Sequence, residues 1–268
     1  MYEHDPGETS ASATDDPLEQ PRYTPDDRCD DGEASCEHAL LFDGDGDYLL
    51  FEDSGALAAI DRGPFTLELW FRGPPDDERD APRLLTFLDR QRARGLELGF
   101  IAGDPGPDER GLSIETPETS LQIHTAAPLR DDRWHHLALR RDGDLLELFL
   151  DGAPLRSLEL AATPLGDQPL SLGRGLDRPG ESAFLGLIAE LRLWSVARED
   201  AEIMALHGAR LTGDEPGLVG YWPLSIGGGQ RVLDRVGDAD GVLGGDARSS
   251  ELDPSWLPLP APFIDAAP

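Results

Sequence analysis

Lysine is absent from this sequence: all 23 basic residues are arginine, against 53 acidic residues, which gives a formal net charge of −30. Phosphate backbones and anionic lipid head groups repel such a chain, so the composition argues against nucleic-acid partners and membrane-surface binding. Long apolar runs are absent too. None approaches the roughly 20 residues that span a bilayer, which argues against membrane insertion. The exclusive use of arginine indicates a GC-rich genome or adaptation to salt.

Cysteine is nearly absent, since Cys29 and Cys36 in "CDDGEASC" are the only two. In an oxidising compartment they are disulfide candidates; otherwise two free thiols are expected. No histidine pair lies nearby, so no zinc site is predicted. The N-terminus lacks the basic and apolar regions of a secretory signal. We therefore expect the chain either to stay inside the cell or to have lost a signal earlier.

Large apolar side chains are scarce at both ends of the chain. Residues 1–38 carry 12 acidic residues and 2 arginines among Pro, Ser, Thr and Gly. Such a segment buries too little surface to offset its ordering entropy, so we predict a disordered acidic arm. Residues 251–268 contain five prolines and are predicted to form an extended tail. The region between them, residues 39–250, is long enough for one large domain.

Alternating apolar residues recur through this central region. They occur in "FTLELWF" (65–71), "LLELFLDG" (145–152) and "LIAELRLW" (187–194), as half-buried strands require. Turn clusters rich in Gly and Pro separate the strands. The pattern predicts an all-β fold, a sandwich of two antiparallel sheets.

A single helix is predicted within residues 198–211, with Ile203 and Leu206 on one face and Gly208 as its stop. The apolar positions of the strands also predict a core, made of Phe42, Phe65, Leu67, Leu69, Trp134, Leu148, Leu191 and Trp222.

Several separated stretches occur in the order found in one known family. They include "ALLFDGDGDYLLFEDS", "PFTLELWFR", "RWHHLALRRDGDLLELFLDGAPL" and "FLGLIAELRLWSVAREDAEI", followed by "GLVGYWPLSIGGGQRVLDRVGDADGVL". Together they cover about residues 39–245. The chain resembles the laminin-G-like and pentraxin-like branch of the concanavalin A-like lectin/glucanase jelly rolls. This resemblance implies a two-sheet jelly roll, usually extracellular or at the cell surface, that binds glycans or protein partners, often with calcium.

Enzymatic relatives of this fold hydrolyse glycans with carboxylates that flank the scissile bond at about 5 to 5.5 Å. The matching spacing of Glu3, Asp5 and Glu8 falls in the acidic arm, where Pro and Gly interrupt any strand. Glu147 and Asp151 share a strand face, but Asp151 begins an Asp-Gly turn, so a solvated face is expected. With no serine or cysteine nucleophile motif either, we predict that the protein is not an enzyme.

The adjacent His135 and His136 invite a catalytic or metal-binding interpretation. Neighbouring strand residues point to opposite faces, so the two cannot share a ligand. We expect one histidine to be packed and hydrogen-bonded and the other to be exposed.

The turn "DGDGD", from Asp43 to Asp47, resembles the start of a calcium loop. An EF-hand requires Gly at its sixth position and Glu at its twelfth, and this sequence has Tyr48 and Ser54 there. The EF-hand interpretation therefore fails. A turn between two strands remains, with Gly44 free to adopt positive φ.

The family resemblance implies a different calcium site. A carboxylate on the closing strand shares the ion with the first strand in relatives, which makes Asp43, Asp45 and Glu190 the candidate ligands here. Ala189 stands where the family often has aspartate, which weakens the match. In "LGRGLDRPGESAF", only Asp177 aligns with an acidic ligand-binding position of pentraxins.

Three functions follow as hypotheses. The first is a non-catalytic recognition module that binds a glycan or protein partner through loops at one sandwich edge. The second is a glycan hydrolase or lyase on the same fold. The third is a structural or assembly subunit that docks through its acidic arm. The sequence leaves the ligand, the oligomeric state and the choice between an extracellular and a cytoplasmic location open.

Overall fold

The structure, a computed structural model, describes residues 36–52, 55–75, 81–87, 94–101, 111–160, 165, 169–175, 182–246, 248 and 250–260. These residues form two antiparallel sheets and two short helices. The strands of the first sheet are β1 (Cys36–Asp43), β3 (Phe65–Arg72), β8 (His135–Asp142), β9 (Leu145–Leu150), β10 (Ala153–Glu159), β12 (Leu185–Trp194), β13 (Leu218–Trp222) and β16 (Ser255–Pro260). The strands of the second sheet are β2 (Leu49–Phe51), β4 (Arg83–Thr86), β5 (Glu97–Phe100), β6 (Gly111–Glu115), β7 (Ser120–His124), β11 (Leu170–Leu172), β14 (Arg231–Val232) and β15 (Gly241–Leu243).

The strand order defines a jelly-roll sandwich. The first sheet runs β10-β9-β8-β3-β12-β1-β16, with β13 also paired to β12, and the second runs β14-β15-β2-β11-β4-β5-β6-β7. Apolar side chains from the inner faces of both sheets form one large core. The predicted fold class, an all-β antiparallel sandwich, is confirmed.

Seven of the eight predicted core residues are buried, and Trp134 is the exception. It directly precedes β8 and is only partly buried, against a small apolar cluster that includes Trp70 and Leu187. Trp222, by contrast, is fully buried. Its indole Nε1 donates to the Ala239 carbonyl at 2.8 Å.

The proline-rich segment near the C-terminus contributes to the sandwich. β16 pairs with β1 from Leu41↔Ser255 to Cys36↔Pro260. The sequence predicts an extended tail for residues 251–268 and a disordered acidic arm for residues 1–38, both outside the domain. The sheet therefore extends past both predicted boundaries. Proline is tolerated in β16 because an edge strand does not use all of its N–H groups.

The helices differ from prediction in number and length. α1 (Gly55–Ala59) was not predicted, and α2 (Asp200–Leu206) is shorter than residues 198–211. At the start of α2, the Glu199 N–H donates to the Glu202 carboxylate at 2.8 Å, which fixes the first turn. Among the described residues, no helix is long and apolar enough to cross a membrane.

β12 is buried along its whole length, and the half-buried pattern predicted from its sequence is wrong. One face lies in the core and the other lies beneath α2 and the residues that follow it. The Arg192 guanidinium, itself fully buried, donates to the carbonyl oxygens of Leu206 at 2.8 Å and of Ala209. These bonds attach the C-terminal end of α2 to the centre of the sheet.

Carboxylates on two strands compensate the positive charges of the buried arginines. Glu190 lies 2.9 Å from Arg192, and Glu68 lies 2.7 Å from Arg198 and 3.5 Å from Arg192. Burial alone would raise the pKa of Glu68, but hydrogen bonding with His136 and the two guanidinium charges lower it to about 2. Removing one partner of such a buried pair typically costs about 3–5 kcal/mol.

The two tryptophans give a stability test of the packing. Trp222→Ala should lower the free energy of unfolding by about 3–5 kcal/mol, because it opens a cavity in the core. Trp134→Ala should cost less, below about 2 kcal/mol, because that side chain is only partly buried. Urea unfolding of both variants measures the difference. Equal losses would contradict the packing described here.

Candidate ligand-binding edge

The acidic turn joins β1 to β2, and its side chains bond within the turn. Asp43 Oδ1 accepts from the Asp45 N–H at 2.7 Å, and Asp47 Oδ2 accepts from the Asp43 N–H at 2.8 Å. Gly44 and Gly46 adopt φ of 79° and 108°, which a side chain would strain. The turn interpretation is therefore correct.

Asp47 differs from its neighbours in the turn because it is buried, whereas Asp43 and Asp45 are exposed. Burial raises the pKa of the Asp47 carboxyl to about 7. The negative charges of Asp43 and Asp253 and a hydrogen bond with the Asp43 carboxyl act in the same direction, while the Asp43 N–H opposes them. Asp47 thus holds a proton below about pH 7, where the turn carries less charge than its sequence suggests.

Tyr48 follows directly and forms an aromatic surface at this edge. The Arg174 guanidinium stacks over its ring, 3.6 Å from the centroid, and Arg174 Nη1 donates to the Gly46 carbonyl at 3.3 Å. The Tyr48 ring is partly exposed. The guanidinium therefore covers one face of the Tyr48 ring in a cation–π contact.

Asp253 joins the turn to a second aromatic side chain. The Tyr48 N–H donates to the Leu252 carbonyl at 3.1 Å, which places Asp253 beside the turn. Asp253 Oδ2 accepts from Gln230 Nε2 at 2.9 Å. Trp256 is partly exposed, and its Nε1 donates to Gly229, the neighbour of Gln230, at 3.1 Å. We call this set the edge cluster: Asp47, Tyr48, Arg174, Gln230, Asp253 and Trp256.

Glu190 lies away from this edge, so the predicted calcium ligands are not close together. Asp43 pairs with Leu185, five residues along β12 from Glu190, or about 16 Å of strand. Burial raises the pKa of Glu190, whose carboxylate bonds Arg192 and the Tyr221 hydroxyl. The trio with Asp43 and Asp45 therefore does not fit a calcium site. Within the described ranges, no group of three His, Cys, Asp or Glu side chains is arranged to hold a metal ion.

Some of the predicted site residues lie outside the described part of the chain. Asp177 and Cys29 lie outside the described residues, and Cys36 is described only as part of the β1 backbone. The Glu3, Asp5 and Glu8 spacing also lies outside them. The disulfide candidate and the ligand-binding role of Asp177 stay predictions.

The carboxylates of the central hairpin have structural partners. Glu147 accepts from Arg140 at 2.6 Å and from the Ser157 hydroxyl at 3.1 Å. Asp151 lies in the β9–β10 turn with φ of 50° and accepts from the His136 N–H at 2.9 Å. These contacts favour the hairpin over a catalytic pair.

The two adjacent histidines behave differently. His136 is fully buried against Glu68 at 3.2 Å, as expected for one of them. Burial lowers the pKa of His136, although the hydrogen bond with Glu68 and its charge act in the opposite direction. His135 is less exposed than expected, because its ring nitrogens contact Asp151 at 3.0 Å and Asp131 at 3.1 Å. Although burial lowers the pKa of His135, these two carboxylates raise it overall.

Sequence reasoning missed most of the edge cluster. Arg174, Gln230, Asp253 and Trp256 come from loops and from the segment taken for a tail, and only their folding together reveals them. The one available signal was a pair of aromatic residues near acidic ones: Tyr48 directly follows Asp47, and Trp256 lies three residues after Asp253.

Comparison with known proteins places the sandwich in a family. The Laminin_G_3 profile, described as the concanavalin A-like lectin/glucanases superfamily, matches residues 43–204, more than half of the chain. The chain belongs to this superfamily. Strands β13–β16 of this superfamily domain lie beyond the matched residues and still pair with its sheets.

Similar proteins are much longer than the superfamily domain itself. Pappalysin-1 of Mus musculus is 28% identical over 185 residues, covering 62% of this chain and 11% of the relative. Adhesion G-protein coupled receptor V1 of Danio rerio is 28% identical over 113 residues, covering 41% of this chain and 2% of the relative. The chain thus spans about a tenth or less of these relatives.

A solved structure supports the fold. A candidate carbohydrate-binding protein of Bacteroides ovatus superposes with a TM-score of 0.65 at 20% identity, covering 86% of this chain and 62% of that one. At this identity the likeness shows the shared fold alone.

The raised pKa of Asp47 predicts a pH-dependent stability. Between about pH 4 and about pH 7, the folded chain keeps a proton on Asp47 that the unfolded chain has released, so the free energy of unfolding falls as pH rises through this window. The Asp47→Asn variant should not show this fall. Its free energy of unfolding should therefore rise relative to that of the parent as pH increases. Thermal unfolding across the window, with Asp45→Asn as the exposed control, measures the effect. Parallel curves for Asp47→Asn and the parent would contradict it.

Proposed function

We propose that this superfamily domain is a non-catalytic recognition module and that it binds a glycan at the edge cluster. The observation that carries the proposal is the pair of partly exposed aromatic rings, Tyr48 and Trp256, around the hydrogen-bonded side chains of Asp253 and Gln230. Ligand sites combine apolar and aromatic surface with a few oriented polar groups. The apolar faces of a sugar suit the rings, and its hydroxyls suit the carboxylate and amide.

A protein partner is the second candidate ligand, because tyrosine, tryptophan and arginine are also frequent at protein interfaces. The Bacteroides ovatus protein of the same fold, a candidate carbohydrate-binding protein, favours the glycan. An extracellular or cell-surface location, implied by the resemblance, belongs to this proposal. The partners of the much longer relatives do not identify the ligand of this chain.

Glycan binding can be measured on a printed array with the parent chain and two tryptophan variants. Trp256→Leu should weaken binding by about tenfold or more, corresponding to about 1.4 kcal/mol. Trp134→Leu is the matched control, because both tryptophans are partly buried: Trp256 packs against the main core and Trp134 packs against the small cluster that includes Trp70 and Leu187. We expect it to bind like the parent. Equal binding by all three chains would contradict the edge-cluster assignment.

The array experiment also separates the two remaining hypotheses. Release of reducing ends from the bound glycans would support the hydrolase or lyase and refute a non-catalytic module. Deleting residues 1–35 leaves all of β1 in place. If the acidic arm were the docking element, this deletion would abolish partner association, whereas glycan binding at the edge cluster should survive it.

We propose separately that the acidic turn binds calcium. The carboxyls of Asp43 and Asp47, which lie next to each other, are the part of the turn suited to a cation. A proton competes with the ion at Asp47, so millimolar calcium should raise the unfolding midpoint more at about pH 8 than at about pH 5. Asp47→Asn should abolish this rise. Sodium chloride at matched ionic strength is the control, and a rise reproduced by salt alone would refute the proposal.

A further inference from the structure

The two sheets end, along their main strand order, in four strands: β10 and β16 in the first sheet, and β14 and β7 in the second. An end strand exposes backbone N–H and C=O groups with which another chain can pair, so proteins usually block it with proline, a bulge, a charged side chain or a short length. Three of these strands are blocked in this way. β10 contains Pro154 and a register shift, β16 contains Pro258 and Pro260, and β14 has two residues, one of them Arg231.

The fourth end strand, β7, carries none of these features. Its sequence, "SLQIH", contains no proline, no carboxylate and no arginine, and its register with β6 is continuous over all five residues. The stretch around it, "TSLQIHT" (119–125), is equally free of them, in a chain with a net charge of −30. β7 is therefore the end strand that is least protected against pairing with another strand.

The turn between β6 and β7 shows which backbone groups of β7 face away from β6. The Thr116 N–H donates to the Thr119 carbonyl at 2.8 Å, which makes these two residues a hydrogen-bonded pair. In antiparallel strands, such pairs alternate with pairs that are not hydrogen-bonded. Counting along β7 from this turn, the second and fourth residues bond to β6, and the first, third and fifth face away from it.

The three residues whose backbone groups face away from β6 are Ser120, Gln122 and His124, and all three are exposed. Within the described part of the chain, no strand pairs with β7 on this side. Leu121 lies on the same sheet face as the buried Ile123 but is only partly buried. A strand added here would bond to the free backbone groups and cover more of the Leu121 side chain.

The spacing of these residues favours a second copy of this chain as the added strand. If two β7 strands pair antiparallel about a two-fold axis at Gln122, this residue lies opposite its own copy, and Ser120 lies opposite His124. Every outward-facing backbone group then meets a partner, which gives about six hydrogen bonds. Two copies with a charge of −30 repel each other, so an uncharged strand is where they can approach most closely.

We propose that the free edge of β7 is a dimerisation surface, at which two copies join their second sheets into one continuous antiparallel sheet. The contact is smaller than the roughly 1,200 Å² of a stable interface, so we expect a weak dimer with a dissociation constant of about 0.1 mM. β7 lies five strands from β2, at the opposite end of the second sheet from the edge cluster. The dimer therefore presents two edge clusters, roughly 50 Å apart along the sheet, and does not depend on what they bind.

Sedimentation velocity of the full chain tests the dimer. Between about 10 µM and about 1 mM, the average mass should rise from that of one chain toward that of two. Salt should strengthen the dimer, because it screens the repulsion between two acidic chains. The dissociation constant in about 0.5 M sodium chloride should therefore be severalfold lower than in about 0.05 M. A chain that stays monomeric over this range in both salts overturns the proposal.

Two substitutions of one residue separate the backbone from the side chain. Gln122→Pro removes an outward N–H that β6 does not use, so the chain should keep its fold by circular dichroism and become monomeric. Gln122→Ala keeps this N–H and should dimerise like the parent. Dimerisation of the folded Gln122→Pro chain at the parental level would show that β7 is not the contact.

A cross-link keeps the test decisive if Gln122→Pro does not fold. In a Cys29→Ser, Cys36→Ser background, Gln122→Cys brings two thiols together at the two-fold axis, where the Cα separation of about 5.5 Å suits a disulfide. Mild oxidation should then give a covalent dimer. Ala153→Cys in the same background, exposed on β10, is the matched control and should stay largely monomeric. Equal cross-linking of the two variants, or none in either, would overturn the proposal and leave glycan binding at the edge cluster untouched.

Discussion

The buried pairing of Arg192 with Glu190 and Glu68 is the interaction on which the architecture depends. It lies on the outer face of β12, the strand that joins β1, β3 and β13 in the first sheet. Because Arg192 also bonds the carbonyls at the end of α2, the helix and the sheet hold each other in place. An uncompensated charge at this depth would cost several kcal/mol, so the arrangement admits few alternatives.

This constraint also explains why one expected metal ligand is unavailable. Glu190 was expected to reach the acidic turn, but its carboxylate neutralises Arg192 and accepts from Tyr221 instead. At the turn, local negative charge is relieved differently, by the proton that burial holds on Asp47. The carboxyl groups of Glu190 and Asp47 therefore serve two unlike roles, and burial and neighbouring charge decide between them.

The edge cluster draws on both sheets, because it gathers Arg174, Gln230 and Asp253 from loops and Trp256 from β16 of the first sheet around Tyr48. On the second sheet, Arg83 donates to the carboxylates of Glu97 and Glu115. In each, an arginine fixes the neighbouring groups, by stacking in one and by ion pairing in the other. Arginine suits both roles because its guanidinium is planar, permanently charged and rich in donors.

The sequence by itself determined the sandwich, most of its core and the turn at Asp43–Asp47, because strand periodicity and turn residues are local signals. It could not determine that Trp134 is only partly buried or that residues 255–260 form a strand, since both depend on what packs against them. Arg83, Arg174 and Arg192 looked alike in sequence. Tertiary structure alone decided which carboxylates, rings and carbonyls each of them meets, because these partners lie on distant segments that only folding brings together.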